Sequence, residues 1–285
     1  MRKIVLMAVA VLGLSVGSRY ACAEETGQIT TTIVYDNYPC AEGLKTDWGF
    51  SCFVQGMDKT ILFDTGRQGD VFMANMEVLK LDPCSVDVVV ISHFHGDHTG
   101  GLEAFVERNS KVTVYVPAPK RDEFARRLAA KGVEVVWVDK PRTLCPNVYL
   151  TGSMGERIIE QSLILGTGEG SVIITGCSHQ GIVEILRKTK EIVDRPIDTV
   201  FGGFHLAQHS RAQVERIIRE FKALGVARPG PTHCTGSEAI AQFREAFGNK
   251  CLKLGVGKVL RFPKRLASGE TAVRRPASRE RLSRR

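Results

Sequence analysis

The sequence, 285 residues long, has no apolar run of the roughly 20 residues that a bilayer span needs. A multi-span membrane protein is therefore excluded. Between positions 24 and 263 there is no GxSxG elbow and no phosphate-binding GxxxxGK[S/T] loop. This removes the serine nucleophile of α/β-hydrolases and the P-loop nucleotide enzymes. Aromatic residues are sparse, at 7%, and no basic stripe interleaves with them, which argues against a specific nucleic-acid surface. No long linker or low-complexity segment divides the body. With 43% hydrophobic and 25% charged residues, the composition is that of an ordinary globular chain with a sizeable core, not of collagen, coiled coil or extended disorder.

The formal charge of +8 belongs to the two ends. Residues 1–23 hold three basic residues and no acid, and residues 264–285 hold eight basic residues and two acids. That leaves positions 24–263 with 28 basic and 29 acidic residues. At the first end Arg2 and Lys3 precede an apolar run from Ile4 to Val16, and Ala21-Cys22-Ala23 offers small residues at the −3 and −1 sites. The pattern predicts a signal peptide cleaved after Ala23, and hence a periplasmic or secreted protein. Lipidation at Cys22 is the rival reading, but Arg19 and Tyr20 suit it badly; a retained anchor is disfavoured by the shortness of the apolar run. The other end, Lys264 to Arg285, has no apolar periodicity and reads as a disordered basic tail. It is either simply solvated or in weak electrostatic contact with anionic lipid or a polyanion.

Cleavage leaves seven cysteines, at positions 40, 52, 84, 145, 177, 234 and 251. An odd number cannot all pair. Cys177 and Cys234 stand beside histidines and are expected to be free thiols or ligands; pairing among the other five stays open.

Within the body one unit recurs four times without sequence identity. A strand-like run (Val86–Ile91, Val172–Thr175, Thr199–Phe201, and a short stretch before Pro231) leads into a turn that bears histidine. A helix-like segment follows each turn, with Gly181–Val193 and Arg211–Leu224 the longest. Six of the seven histidines occupy such turns, a placement that chance would not give core histidines. Open α/β architectures gather their sites at the carboxyl ends of strands.

The densest turn is His93-Phe94-His95-Gly96-Asp97-His98. Alternate residues of an extended loop point the same way, so His93 and His95 can share one ion, while Asp97 and His98 can face a neighbouring one. Asp64, after the strand-like Thr60–Phe63, is a candidate acceptor for a ligand histidine's outer N–H, or else a turn aspartate capping Gly66. His209, four residues after His205, reads as an exposed helix histidine.

HFHGDHTGG after an apolar strand resembles the HxHxDH signature of the metallo-β-lactamase superfamily, and ILFDTG resembles its first motif. GCSHQGI, FGGFHL and PTHCTG together are similar to one branch, which contains proteins called 7,8-dihydropterin-6-methyl-4-(β-D-ribofuranosyl)aminobenzene-5′-phosphate synthase and relatives called metal-dependent hydrolases. The resemblance runs from about Gln28 to Phe262. It implies an α/β fold, an αβ/βα sandwich with metals at one edge. It also implies His93 and His95 on a first ion and Asp97 and His98 on a second, with His179, His205 and His233 as further ligands. His233 is alternatively a substrate contact. Many members carry another ligand histidine ahead of the strand that bears the bridging acid; here none lies between His98 and His179, so His179 is the candidate substitute. Cys177, near the place of the bridging acid, is a bridge, a ligand of one ion or a neighbour.

The expected function is a metal-dependent hydrolase, with two zinc ions or alternatively manganese or iron, acting through metal-activated water on a small-molecule ester, lactone or phosphoester, with Asp97 taking up a proton. The alternatives are a transferase like the named synthase, or an iron redox enzyme or metal-binding sensor on the same scaffold.

Overall fold

The computed structural model describes residues 27–118 and 122–264, so the expected signal peptide and nearly all of the basic tail lie outside the described residues. In chain order the main elements are β1 (Gln28–Tyr35), β2 (Ser51–Gln55), β3 (Ile61–Phe63), α1 (Gly69–Val78), β4 (Val88–Val90), α2 (Gly96–Thr99), α3 (Leu102–Val106), β5 (Thr113–Pro117), α4 (Asp122–Ala129) and β6 (Glu134–Val138). There follow β7 (Arg142–Cys145), β8 (Val148–Leu150), β9 (Leu163–Gly166), β10 (Ser171–Thr175), α5 (Ile182–Ile192), β11 (Ile197–Gly203), α6 (Arg211–Ala223), β12 (Arg228–Thr232), α7 (Ser237–Phe247) and β13 (Val259–Pro263).

The strands form two mixed sheets, a seven-stranded one ordered β13-β1-β2-β3-β4-β5-β6 and a six-stranded one ordered β12-β11-β10-β9-β8-β7. The pleat explains why β4 and the middle of β10 are apolar at every position. Val88 and Val90 face Val172, Ile174 and Phe201 in the core between the sheets. Val89 points the other way, into a second core with Phe72 of α1 and Phe105 of α3. On the far sheet Ile173 packs outward with Ile185 of α5, Phe221 of α6 and Phe243 of α7. Strands covered on both faces keep apolar residues on both, which is why Val88–Val90 and Val172–Ile174 read as unbroken apolar runs. Helix, sheet, sheet and helix make the αβ/βα sandwich.

The β3–β6 strands run parallel, as do β10–β12. Their carboxyl ends deliver Asp64 after β3, His93 after β4, Cys177 after β10, His205 after β11 and His233 after β12 to one edge of the sandwich. All seven cysteines of the described residues are free thiols.

Candidate metal centre

The HFHGDH loop is pinned from behind. The Thr65 backbone N–H and Oγ1 both donate to the His98 carbonyl, at 2.8 and 3.0 Å. Gly100 passes so close to the Arg67 carbonyl that any Cβ there would collide with it. The short helix α2 then turns Asp97 and His98 back toward the strand ends, while His93 stays extended and fully buried.

Two donor sets result. His93, His95 and His179 offer ring nitrogens that lie within 4.8 Å of one another. Asp97, His98 and His233, joined by Cys177, do the same. The sets touch, since the His93 and His98 rings are 4.2 Å apart between centroids. Cys177 Sγ lies 3.3 Å from His98 Nε2. A third set, within the same 4.8 Å limit, comprises Cys177, His205 and Cys234. His205 therefore stands apart from the first two sets and beside the sulfurs, although its ring is 4.5 Å from that of His179. His209 is exposed and belongs to none of these groups.

Four of the histidines are held by their outer nitrogens. His98 Nδ1 lies 2.7 Å from Asp64 Oδ2, and Asp64 also accepts from the backbone N–H and Oγ of Ser92, both at 2.7 Å. Ser92 Oγ in turn is 2.9 Å from His93 Nδ1. His179 Nδ1 lies 3.2 Å from Glu160 Oε2, and His233 Nδ1 lies 3.0 Å from Asn37 Oδ1. Each contact fixes the ring and leaves Nε2 turned inward, the arrangement that surrounds a metal ligand histidine. Glu160, Ser92 and Asn37 were not legible as site residues. The one available signal was a lone carboxylate, Glu160, just ahead of the apolar stretch Leu163-Ile164-Leu165.

The electrostatics suit cations. Burial, then the neighbouring His98, His179, His95 and His233, drives the His93 imidazole well below its ordinary range, so it is a neutral lone-pair donor. Burial opposes charge on Asp97, but His233 and His98 outweigh it and keep the carboxyl below its usual range. His98 is the counter-case. Its burial disfavours charge, and the Asp64 carboxylate more than reverses that. His233 Nε2 is buried without a hydrogen-bond partner and lies 3.4 Å from Asp97 Oδ2. An orphaned buried nitrogen calls for an explanation, and a cation between it, Asp97 and His98 supplies one. The nitrogen-rich sets, with one carboxylate and an adjacent thiol, fit divalent first-row ions.

Backbone strain concentrates at the same edge. Asp64, Ser178, His205 and His233 have φ of 55°, 66°, 55° and 49°, four of the six left-handed non-glycine residues among the described residues. Such conformations cost on the order of 1–3 kcal/mol each and mark places where side-chain aim has priority. Beside His179 and His205 opens a cavity of about 890 Å³, walled by Met154, Arg157, Ile158, Gln180 and Glu184. That volume suits a small organic molecule.

The chain is similar along most of its length to proteins already described. 7,8-Dihydropterin-6-methyl-4-(beta-D-ribofuranosyl)-aminobenzene-5'-phosphate synthase of Methanocaldococcus jannaschii is 29% identical over 252 residues, covering 73% of this chain and 86% of the relative. The solved structure of Tm1679, a metal-dependent hydrolase of the beta-lactamase superfamily, matches with a TM-score of 0.70 at 29% identity, over 83% of this chain and 100% of that one. The metallo-beta-lactamase fold protein YhfI from Bacillus subtilis shares the fold at 14% identity, with a TM-score of 0.60 over 82% of this chain and 99% of that one. The family model of the metallo-beta-lactamase superfamily matches residues 49–205, more than half of the sequence, and spans the His93–His98 loop, Cys177, His179 and His205. By fold, by motif and by these matches, the chain belongs to the metallo-beta-lactamase superfamily.

Proposed function

We propose that this enzyme is a hydrolase of a small-molecule ester, lactone or phosphoester that works with two divalent cations, zinc by preference. The observation that carries the reading is the pair of abutting donor sets, with four ring nitrogens aimed inward by Asp64, Ser92, Glu160 and Asn37. His93, His95 and His179 would hold one cation; Asp97, His98 and His233 would hold the other. When bound, such a pair lowers the pKa of a shared water and polarises the oxygen of the bond to be cut.

The protein's own groups do the rest. Asp64 and Ser92 engage the Nδ1 atoms of His98 and His93, so Nε2 is the nitrogen turned toward the cations. Asp97 Oδ2, 3.4 Å from His233 Nε2 and 3.6 Å from His98 Nε2, supplies anionic charge and is the carboxylate placed to take up a proton from the attacking water. Met154 and Ile158 give the cavity an apolar wall, and the exposed Glu156, Arg157 and Glu184 supply charge of both signs at its rim. A substrate drawn from the periplasm or the medium accords with the amino-terminal signal pattern, and weak contact of the basic tail with anionic lipid accords with its charge.

The likeness to the named synthase favours a second reading, transfer between two small molecules at the same centre. Elemental analysis of the purified protein, followed by assay of that sample on ester, lactone and phosphodiester panels, separates the two. Hydrolysis of at least one class, lost with the metal, supports the hydrolase. Full metal content with no hydrolysis on any panel, and product formed only when two co-substrates are supplied, supports transfer.

A further inference from the structure

Cys177, His205 and Cys234 sit at the carboxyl ends of β10, β11 and β12, three neighbouring strands of one sheet. Parallel pairing therefore brings the two thiols and the imidazole side by side. Their donor atoms lie within 4.8 Å of one another, and the thiol residues are only 3% and 6% exposed. Two features show that the backbone is shaped for this meeting. At Gly203 a Cβ would come within 2.6 Å of Cys234 Sγ, so the sulfur occupies space that only glycine leaves free. His205 holds a left-handed φ of 55°, which turns the chain at the end of β11. Neither His205 nor Cys234 is required by the two donor sets assigned above.

We propose that Cys177, His205 and Cys234 form a third site, adjoining the second donor set through Cys177, that takes one soft monovalent cation of the Cu(I) class. Two thiols and one imidazole make a soft three-donor set, and thiolates select Cu(I) over harder ions. Binding releases both thiol protons, so Cu⁺ and two thiols give a copper dithiolate of charge −1 and two protons, with no electron transferred. Charge decides between a monovalent and a further divalent ion. With the same two thiolates a dication makes a neutral unit, whereas the copper(I) dithiolate keeps a net charge of −1 and is attracted to the two neighbouring cations. The site adds a copper-binding property to the protein and does not depend on which bond the enzyme cuts.

The test is a titration of the reduced, zinc-replete, full-length mature protein with Cu(I) against a chromogenic Cu(I) chelator, without oxygen. The expected result is one Cu(I) retained per chain, near-ultraviolet thiolate-to-copper absorption, and no release of divalent metal. His205→Ala and Cys234→Ser should each weaken retention by at least about tenfold, the smallest loss usual even for a group behind a ligand. Cys84→Ser, at an exposed thiol, should change nothing. If Cys234→Ser fails to fold, His205→Ala carries the test alone, because that side chain is exposed. Failure to retain Cu(I), equal retention by His205→Ala and the parent, or one-for-one expulsion of a divalent ion would each overturn the proposal.

Discussion

Replacing Asp64 with Asn is expected to loosen the metal centre from behind without touching a donor. Asp64 is fully buried, and its two oxygens receive three contacts, from the Ser92 N–H, Ser92 Oγ and His98 Nδ1. Asn keeps the shape and tolerates the left-handed φ of 55° at this position, so the backbone is not the cause of any change. An amide, however, offers one accepting oxygen where the carboxylate offers two. If the oxygen serves His98, the NH₂ faces the Ser92 N–H and a buried donor goes unpaired; if it serves Ser92, His98 loses the group that fixes its tautomer. An unpaired buried donor costs about 1–3 kcal/mol, or roughly 2–4 °C of melting temperature for each kcal/mol in a chain of this size. Loss of the group behind a ligand histidine costs about 10–100-fold in metal affinity. The assay is competition with a zinc chelator, run beside thermal melts of metal-free protein. Affinity and melting temperature should fall together. Parental zinc affinity in Asp64→Asn would refute the view that Asp64 aims His98.

Three further outcomes are expected. Asp97→Asn should weaken the ion held with His98 and His233 while sparing its neighbour, and turnover should fall by at least about 100-fold; metal counts and rates on one sample check both. Asp36 is buried and accepts from Thr232 Oγ1 at 2.6 Å, and burial pushes its carboxyl up to about 6. A raised carboxyl pKa means that the folded state holds the proton more tightly, so this group favours folding most below about pH 4, and that advantage is lost as pH rises through about 6. The loss is on the order of 3 kcal/mol, and denaturant melts of the metal-free parent against Asp36→Asn at pH 4 and 7 should show a gap that opens toward pH 7. Intact-mass measurement on envelope-fraction protein should give a chain beginning at Glu24; a mass that retains Met1 would remove the signal peptide.

Much of this architecture is written in local sequence, and some is not. The strands β4 and β10 are visible because burial on both faces leaves the apolar runs Val88–Val90 and Val172–Ile174, and the histidine turns that follow β4, β10 and β11 stand out against polar helices. The stretch from Arg142 to Gly166 carries only a short form of that signal, at Leu163-Ile164-Leu165. Its strands β7, β8 and β9 are three or four residues long, and β7 is an edge strand with half-exposed residues. Glu160 stays hidden for the same reason, since its role exists only once β9 and β10 have paired and brought Ser178 and His179 beside it. Asn37 meets His233 across 196 residues, a distance that no periodicity spans. His205 is the instructive case. Its motif resembles the other histidine turns, but the left-handed φ and the closeness of β10 and β12 set it beside Cys177 and Cys234.

The division of ligands between two ions is the central claim, and metal stoichiometry tests it most directly. His179 and His233 belong to different donor sets and lie at the ends of different strands. Elemental analysis of the mature protein, of His179→Ala and of His233→Ala, each equilibrated at one low free-zinc level, compares them on equal terms. The expected result is about two divalent ions per chain for the parent and about one for each variant, with the double variant near none. A parent holding a single ion that either substitution abolishes, or variants that keep both ions, would contradict the two-ion centre.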